Sequence, residues 1–159
     1  MTIRILCVGK LKERYFLEAE AEFLKRLRRF GAVEIVEVPD EKAPETLSAM
    51  EQAQVKTREG ERLLARIGEG DRVIALAIGG RHYTSEAFAA RLQLLRDTGT
   101  RSIAFVIGGS LGLSDAVLKR ANETLSLSDM TLPHRIARLV LLEQIYRAHK
   151  ICAGEPYHK

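Results

Sequence analysis

Three segments of the sequence pass from an apolar run into glycine or other small residues, and together they could surround a ligand. They are Ile74–Gly80 (IALAIGG), Phe105–Gly112 (FVIGGSLG) and Leu125–His134 (LSLSDMTLPH). Ligands bind beyond the carboxyl ends of the strands in open parallel sheets, and glycine lets the backbone approach them closely. The segments therefore predict a cofactor site at one sheet edge, although each alone is also typical of an ordinary strand-to-helix turn.

The motifs of several other enzyme classes are missing. Gly108-Gly109-x-x-Gly112 lacks the spacing of a dinucleotide-binding loop, and there is neither a P-loop nor a G-x-S-x-G elbow. Cys7 and Cys152 have no CxxC spacing, and no Cys/His cluster has the spacing of zinc ligands. These patterns disfavour oxidoreductase, NTPase and acyl-transfer chemistry, and they predict neither a disulfide nor a metal site.

Titratable and aromatic residues gather near the end of the chain. His134 follows Pro133 at the end of the third segment, and Tyr157, His158 and Lys159 form the terminal tail. A histidine could accept a proton from a substrate, while the tail could stack on a base and contact phosphate. Terminal residues are usually disordered, however, and a lone histidine is more often structural than catalytic.

Basic residues are concentrated on one predicted helix. The chain has a formal net charge of +4, and Lys25, Arg26, Arg28 and Arg29 fall on one side of a helix in an ideal projection. Such a face could bind RNA phosphates, or it could only complement the helix dipole and keep the surface soluble. The patch therefore supports RNA binding only together with other observations.

The elements that would position these residues alternate along the chain. The 159 residues, 46% hydrophobic and 29% charged, suit a single α/β domain with a parallel-rich sheet of five to six strands between helices. Strands are predicted at Ile3–Val8, Val33–Val38, Arg72–Ile78, Ser102–Ile107 and, weakly, Thr124–Leu127; helices at 16–27, 46–67, Ser85–Asp97 and Ser114–Asn122, with a last one from His134.

The last helix is apolar over more of its surface than packing on one sheet requires. A homodimer contact and deep burial within one subunit would both explain this surface. The N-terminal apolar run is too short for a signal peptide core, and no 18 apolar residues run together. We therefore expect a reduced, cytoplasmic protein without a membrane segment.

Seven segments, in order, resemble one known family. They are Val8–Lys12 (VGKLK), Val38–Pro44 (VPDEKAP), Phe105–Gly109 (FVIGG), Leu125–Ser128 (LSLS), Met130–His134 (MTLPH), Glu143–Arg147 (EQIYR) and Pro156–Lys159 (PYHK). Over nearly its whole length the chain resembles the ribosomal RNA large subunit methyltransferase H family, within the SPOUT class of trefoil-knotted methyltransferases.

The resemblance implies a fold and a reaction that the residue pattern alone does not. It implies a C-terminal trefoil knot, which the strand and helix pattern alone would not predict because knots are rare in proteins. It implies a homodimer that transfers a methyl group from S-adenosylmethionine to N3 of pseudouridine 1915 in helix 69 of 23S rRNA, acting on the assembled 70S ribosome. The tail would line the substrate side of the partner subunit's pocket.

The resemblance also implies roles for particular residues. His134, Tyr157 and His158 would be catalytic, with the identity of the general base left open. Arg135 and Lys159 would contact RNA beside the basic helix. The S-adenosylmethionine site would consist of Leu76, Gly108, Leu127, Ser128, Asp129, Met130, Thr131 and Leu132.

Three alternatives stay open at this point. One is a ribosome-associated RNA-binding protein without catalysis, which would need no cofactor loop. Another is a SPOUT enzyme with a different target, such as N1 of a pseudouridine or a tRNA ribose. The strand pattern alone is also typical of a flavodoxin-like nucleotide binder.

Overall fold

A computed structural model describes residues 1–159. Five strands alternate with five helices along the chain, so the predicted α/β class is confirmed. The elements are β1 (Thr2–Val8), α1 (Arg14–Leu27), β2 (Val33–Val38), α2 (Ala49–Leu64), β3 (Arg72–His82), α3 (Ser85–Asp97), β4 (Ser102–Ile107), α4 (Asp115–Arg120), β5 (Glu123–Ser126) and α5 (His134–Cys152).

All five strands are parallel and form one sheet in the order β2-β1-β4-β3-β5. Each connection reverses the direction in which the chain moves across the sheet. Right-handed crossovers then place successive helices on opposite faces, with α1 and α3 on one side and α2 and α4 on the other. The carboxyl ends of the strands therefore share one edge, where the predicted ligand segments begin. The trefoil knot stays a prediction.

The sheet is buried on both faces, which explains why its central strands are continuously apolar. In β1, Ile3, Ile5 and Cys7 point into a core of 18 buried residues beneath α1, α3 and α5. Leu6 and Val8 point into a smaller core of 8 buried residues beneath α2 and α4. The side that carries α5 therefore contains most of the buried apolar volume.

Two elements, α2 and β3, differ from the sequence prediction by more than two residues at a boundary. Helix α2 begins at Ala49 rather than at residue 46, because Ser48 accepts a hydrogen bond from Glu51 N and closes a capping box with the Glu51 side chain. It ends at Leu64 instead of 67. Strand β3 continues to His82 rather than ending at Ile78, because its pairing with β5 resumes after an irregular stretch.

Helix α5 lies between α1 and α3 and covers the larger core. Eight of its residues are buried within the chain, which accounts for much of the excess apolar surface noted in the sequence. Ile136, at 40% exposure, is the large hydrophobic residue of α5 that remains most open to solvent. None of the five helices combines the length and the hydrophobicity needed to cross a membrane.

Candidate active site

A cavity of about 650 Å³ opens at the carboxyl edge of the sheet. Its walls come from the three segments singled out in the sequence, so the chain brings them together as predicted. The lining residues are Leu76, Ala77, Ile78, Ile107, Gly108, Gly109, Ser110, Leu111, Gly112, Leu113, Leu118, Leu125, Ser126, Leu127, Ser128, Met130, Thr131, Leu132, Pro133, His134 and Ala137.

The first wall is an excursion of β3 out of the sheet. Leu76 and Arg81 both pair with Leu125, so the four residues between them leave the ladder. Gly80 permits the return, because a Cβ at this position would lie 2.7 Å from the backbone carbon of Leu125. The excursion turns Ala77 and Ile78 toward the cavity, which an uninterrupted strand would not do.

The second wall is a tight turn after β4. Gly112 N donates a hydrogen bond of 3.0 Å to Gly109 O. A Cβ on Gly108 would lie 2.6 Å from the backbone carbon of Gly112, so no larger residue fits without opening the turn. The turn therefore presents backbone atoms, rather than side chains, to a ligand.

The third wall is the loop after β5. Ser126 Oγ donates to Ser128 O at 3.0 Å, and Ser128 Oγ accepts from Met130 N at 3.0 Å, so local hydrogen bonds fix its course. Asp129 is the exception among the predicted cofactor residues. Its side chain is 92% exposed and pairs with His82 Nε2 at 3.1 Å, outside the cavity lining. The other seven line it: Leu76, Gly108, Leu127, Ser128, Met130, Thr131 and Leu132.

The chemistry of these walls suits a ligand that combines apolar and hydrogen-bonding groups. Leucine, isoleucine and methionine side chains provide apolar contact on the walls, and the turn and loop provide backbone donors and acceptors. No group of three or more His, Cys, Asp or Glu residues is placed to hold a metal ion.

His134 lies at the mouth of the cavity as the first residue of α5. Burial lowers the pKa of its imidazole, and the neighbouring Arg135 guanidinium lowers it further, against the opposing charge of Asp40. The ring makes no hydrogen bond within the chain. His134 is therefore the histidine in the cavity lining, and neither of its ring nitrogens is engaged, so one can accept a proton from a bound substrate.

Two arginines fix the start of α5. Arg138 is 3% exposed, and its guanidinium reaches Glu20 at 2.5 Å through Nε and Glu37 at 2.9 Å through Nη1. Arg135, predicted to contact RNA, forms an ion pair with Glu13. These pairs connect α5 to α1 and β2, so the position of His134 depends on three elements.

Neither Tyr157 nor His158 lines the cavity of its own chain. The tail instead folds back over α5 and α3, where Tyr157 Oη donates to Glu143 Oε1 at 3.1 Å. Arg147 can only donate, so His158 Nδ1, at 3.2 Å, accepts from it, and His158 Nε2 donates to Glu86 at 2.8 Å. His158 is thus held through both ring nitrogens.

The predicted basic helical face divides into paired and free residues. Helix α1 ends at Leu27, so Arg28 and Arg29 lie in the turn that follows rather than on the helix. Arg26 pairs with Glu22 at 2.8 Å, and Arg29 pairs with Glu155. Lys25, Arg28 and the terminal Lys159 are exposed and carry no ion pair.

Two charged residues that support the site, Glu59 and Arg138, are not among the site residues predicted from the sequence. Glu59 of α2 is buried, its pKa is raised by that burial, and it accepts from Glu41 N at 3.0 Å. A Cβ on Gly109 would lie 3.0 Å from Glu59 Oε1, so Glu59 lies directly behind the glycine turn. Arg138 is visible in the sequence as a charged residue within an apolar helix, one turn after His134, but its ion pairs with α1 and β2 are not.

Comparisons with known proteins agree on the class of this chain. The family model described as "Predicted SPOUT methyltransferase" matches residues 1–158. Proteins named ribosomal RNA large subunit methyltransferase H are similar over the full length of both chains, with 58% identity for Listeria monocytogenes serotype 4b and Bacillus cytotoxicus and 57% for Lactobacillus delbrueckii subsp. bulgaricus.

A solved structure shares the fold at low identity. It is a probable methylase family protein from Haemophilus influenzae Rd KW20, with a TM-score of 0.53 and 14% identity. The alignment covers 99% of this chain and 70% of that one. This likeness shows the fold alone. The family model and the full-length relatives show that the chain belongs to the SPOUT methyltransferases, and among them to the ribosomal RNA large subunit methyltransferase H family.

Proposed function

We propose that this methyltransferase uses S-adenosylmethionine to methylate N3 of pseudouridine 1915, in helix 69 of 23S rRNA, on the assembled ribosome. The observation that carries the proposal is the apolar cavity with an unbonded histidine at its mouth. The names of the full-length relatives support the choice of large-subunit rRNA as the substrate.

The cavity fits this methyl donor. Leu76, Leu127 and Leu132 offer apolar surface for an adenine ring, and the backbone of the Gly108–Gly112 turn offers polar partners. When bound, the donor supplies a methyl group already activated on a sulfonium. The chain therefore has to hold the accepting nitrogen in line with that methyl group at near-attack distance.

The substrate nitrogen carries a proton that must leave before its lone pair can attack. His134 is neutral at physiological pH, because burial and Arg135 lower its pKa, and its ring nitrogens are free. It is thus suited to accept the N3 proton as a general base. Arg135, one residue further along and paired with Glu13, would contact the RNA beside the reacting base.

The complete site requires a homodimer in this proposal. Tyr157 and His158 are anchored on the outer surface of their own α5 and α3, outside their own cavity. A second copy packed against this surface would bring the tail to the partner's cavity. There Tyr157 would stack on the target base, His158 would orient it, and Lys159 would contact phosphate, together with the basic residues at 25–29.

The direct test is methyl transfer in vitro. Purified protein and S-adenosylmethionine labelled in the methyl group are incubated with 70S ribosomes from cells that lack this activity, and the rRNA digest is analysed by mass spectrometry. We expect label at N3 of the helix 69 pseudouridine. Label at N1 of the pseudouridine, or in tRNA only, would show that the enzyme has another SPOUT target. Cofactor binding without any transfer would favour a non-catalytic RNA-binding protein.

A second experiment concerns the form of the substrate. A domain this small that recognises one nucleotide would rely on a large preformed surface of the ribosome. This is consistent with a cytoplasmic enzyme that acts after ribosome assembly. We therefore expect 70S ribosomes to be methylated much faster than naked 23S rRNA at equal concentration. Equal rates on both would contradict this part of the proposal.

A further inference from the structure

We propose that the loop between β1 and α1, Gly9–Glu13, binds the RNA backbone next to the target base through Lys10 and Lys12. This inference rests on the proposed function and adds to it a phosphate-binding site on the cavity side of the same chain. It concerns Lys10 and Lys12, which have no role in the site described above.

The first observation is where the loop lies. Lys10 and Leu11 line a shallow recess together with His134, Arg135 and Arg138. Ile107 and His134 also line the cavity, so the recess and the cavity adjoin at these two residues. A nucleotide whose base enters the mouth of the cavity would therefore place its neighbouring phosphates over the loop.

The second observation is that the loop carries free cations where nearby arginines are neutralised. Arg135 pairs with Glu13, Arg138 pairs with two carboxylates, and Arg14 pairs with Glu18 at 2.7 Å. Lys10 and Lys12 are exposed and have no carboxylate partner within the chain. An anion approaching His134 would thus meet these two ammonium groups as unpaired positive charges.

The third observation is that the loop is held rigidly although it is irregular. Gly9 N donates to Val38 O at 2.8 Å, and Leu11 N donates to Glu37 Oε2 at 3.3 Å. The Leu11 side chain is buried between the two exposed lysines. Because the same Glu37 also binds Arg138, the loop is anchored to the helix that carries His134. A preformed loop loses little conformational entropy when it binds phosphate.

The basic residues at the end of α1 lie too far from His134 to contact phosphates beside the target base in the same subunit. The Gly9–Glu13 loop lies close enough. Helix α1 starts at the loop and has 14 residues, so Lys25 and Arg28 lie about 20 Å further along its axis. In the same subunit these residues could contact only RNA remote from the target base. Lys10, in contrast, lines the recess that contains His134.

The test compares two double variants on 70S ribosomes. K10A/K12A removes the loop cations, and K56A/K119A removes two unpaired lysines from the face covered by α2 and α4. We expect K10A/K12A to raise KM for ribosomes by about tenfold, with kcat changed less than twofold. The slope of log affinity against log salt should fall by roughly 1.5. K56A/K119A and the charge-preserving K10R/K12R should behave like the unsubstituted protein.

Calorimetry with S-adenosylmethionine separates a folding defect from an RNA defect, because cofactor affinity should be the same in all variants. An unchanged KM and salt slope in K10A/K12A would overturn the loop assignment while leaving the proposed function intact. Equal losses in both double variants would also overturn it, since they would show a general charge effect. If the unsubstituted protein does not methylate ribosomes, the proposed function itself fails.

Discussion

His134 and His158 show how the same residue type acquires different capacities from its neighbours. The ring of His134 is half-buried at the cavity mouth without a hydrogen bond, whereas both nitrogens of His158 are engaged by Arg147 and Glu86. Their positions in the sequence marked both as candidates for proton transfer. Only the fold distinguishes a histidine that can accept a proton from one that is held in place by its partners.

Replacing His134 should impair chemistry more than binding. We expect His134→Asn to lower kcat by about 10² to 10³, because a general base is lost, with S-adenosylmethionine affinity kept. Since its pKa is lowered, the unsubstituted enzyme should keep its rate as pH falls through 6.5, the ordinary histidine value, and lose it only at lower pH. Single-turnover rates across pH provide the measurement. A variant within twofold of the unsubstituted rate would remove His134 from the mechanism.

His149 should make the protein sensitive to acid. It is buried, stacks on Phe30 at 5.1 Å, and its pKa is lowered to about 4 by burial and by Arg96. The unfolded chain therefore binds this proton more readily, and stability is lost as pH falls from 6.5 to 4. At about 1.4 kcal/mol per pH unit, the loss is roughly 3 kcal/mol.

Urea unfolding of the unsubstituted protein and of His149→Phe at several pH values checks this expectation. The phenylalanine keeps the stack on Phe30 but cannot titrate, so the stability difference between the two proteins should change by that amount over this pH range. Parallel pH dependences would show that another group is responsible for acid sensitivity.

At the scale of elements, the strands followed from their apolar runs, and the glycine-containing segments correctly predicted where the cavity lies. The excursion of β3 could not be predicted from the sequence, because a strand that leaves its partner and pairs again with the same residue leaves no periodic signal. Helix α2 was predicted too long, because the propensity of residues 46–48 gave way to the Ser48 cap. The asymmetry of the two cores depends on where α5 packs, which local patterns do not encode.

The two glycines of the β3 excursion form a matched pair. A Cβ on Gly79 would meet nothing within 4 Å, whereas one on Gly80 would meet the Leu125 backbone. We expect Gly80→Ala to destabilise the protein by about 1–3 kcal/mol and to weaken S-adenosylmethionine binding, because the excursion must shift. Gly79→Ala should leave both quantities nearly unchanged. Urea unfolding and calorimetry measure them, and similar effects from both substitutions would contradict the close approach at Gly80.

At the scale of the whole molecule, the sequence predicted one α/β domain, and five parallel strands confirm it. The knot came from the family resemblance alone, whereas the apolar surface of the last helix had already offered a dimer as one of two explanations. The structure adds a physical reason to expect the dimer, since the tail and the cavity of one chain do not meet. The separation of tail and cavity within one chain leaves no signal in a helix or strand pattern.

Mixed dimers can test whether sites are shared between subunits. His134→Asn and Tyr157→Ala should each be nearly inactive alone. If the tail acts on the partner's cavity, a heterodimer contains one site in which both residues are intact. Random mixing should then restore about a quarter of the unsubstituted activity, because half the dimers are mixed and each has one such site. No recovery, with subunit exchange verified by mass spectrometry, would place the tail on the cavity of its own chain.

The strand order has a consequence for the chain while it is being synthesised. Strand β1 pairs with β2 on one edge and with β4 on the other, yet β4 begins only at Ser102. Until the ribosome has released that strand, the largely apolar β1 of the nascent protein has an open edge to which another chain could add. Translation pauses between β2 and β4 should therefore favour aggregation, and a chaperone that covers β1 should relieve it.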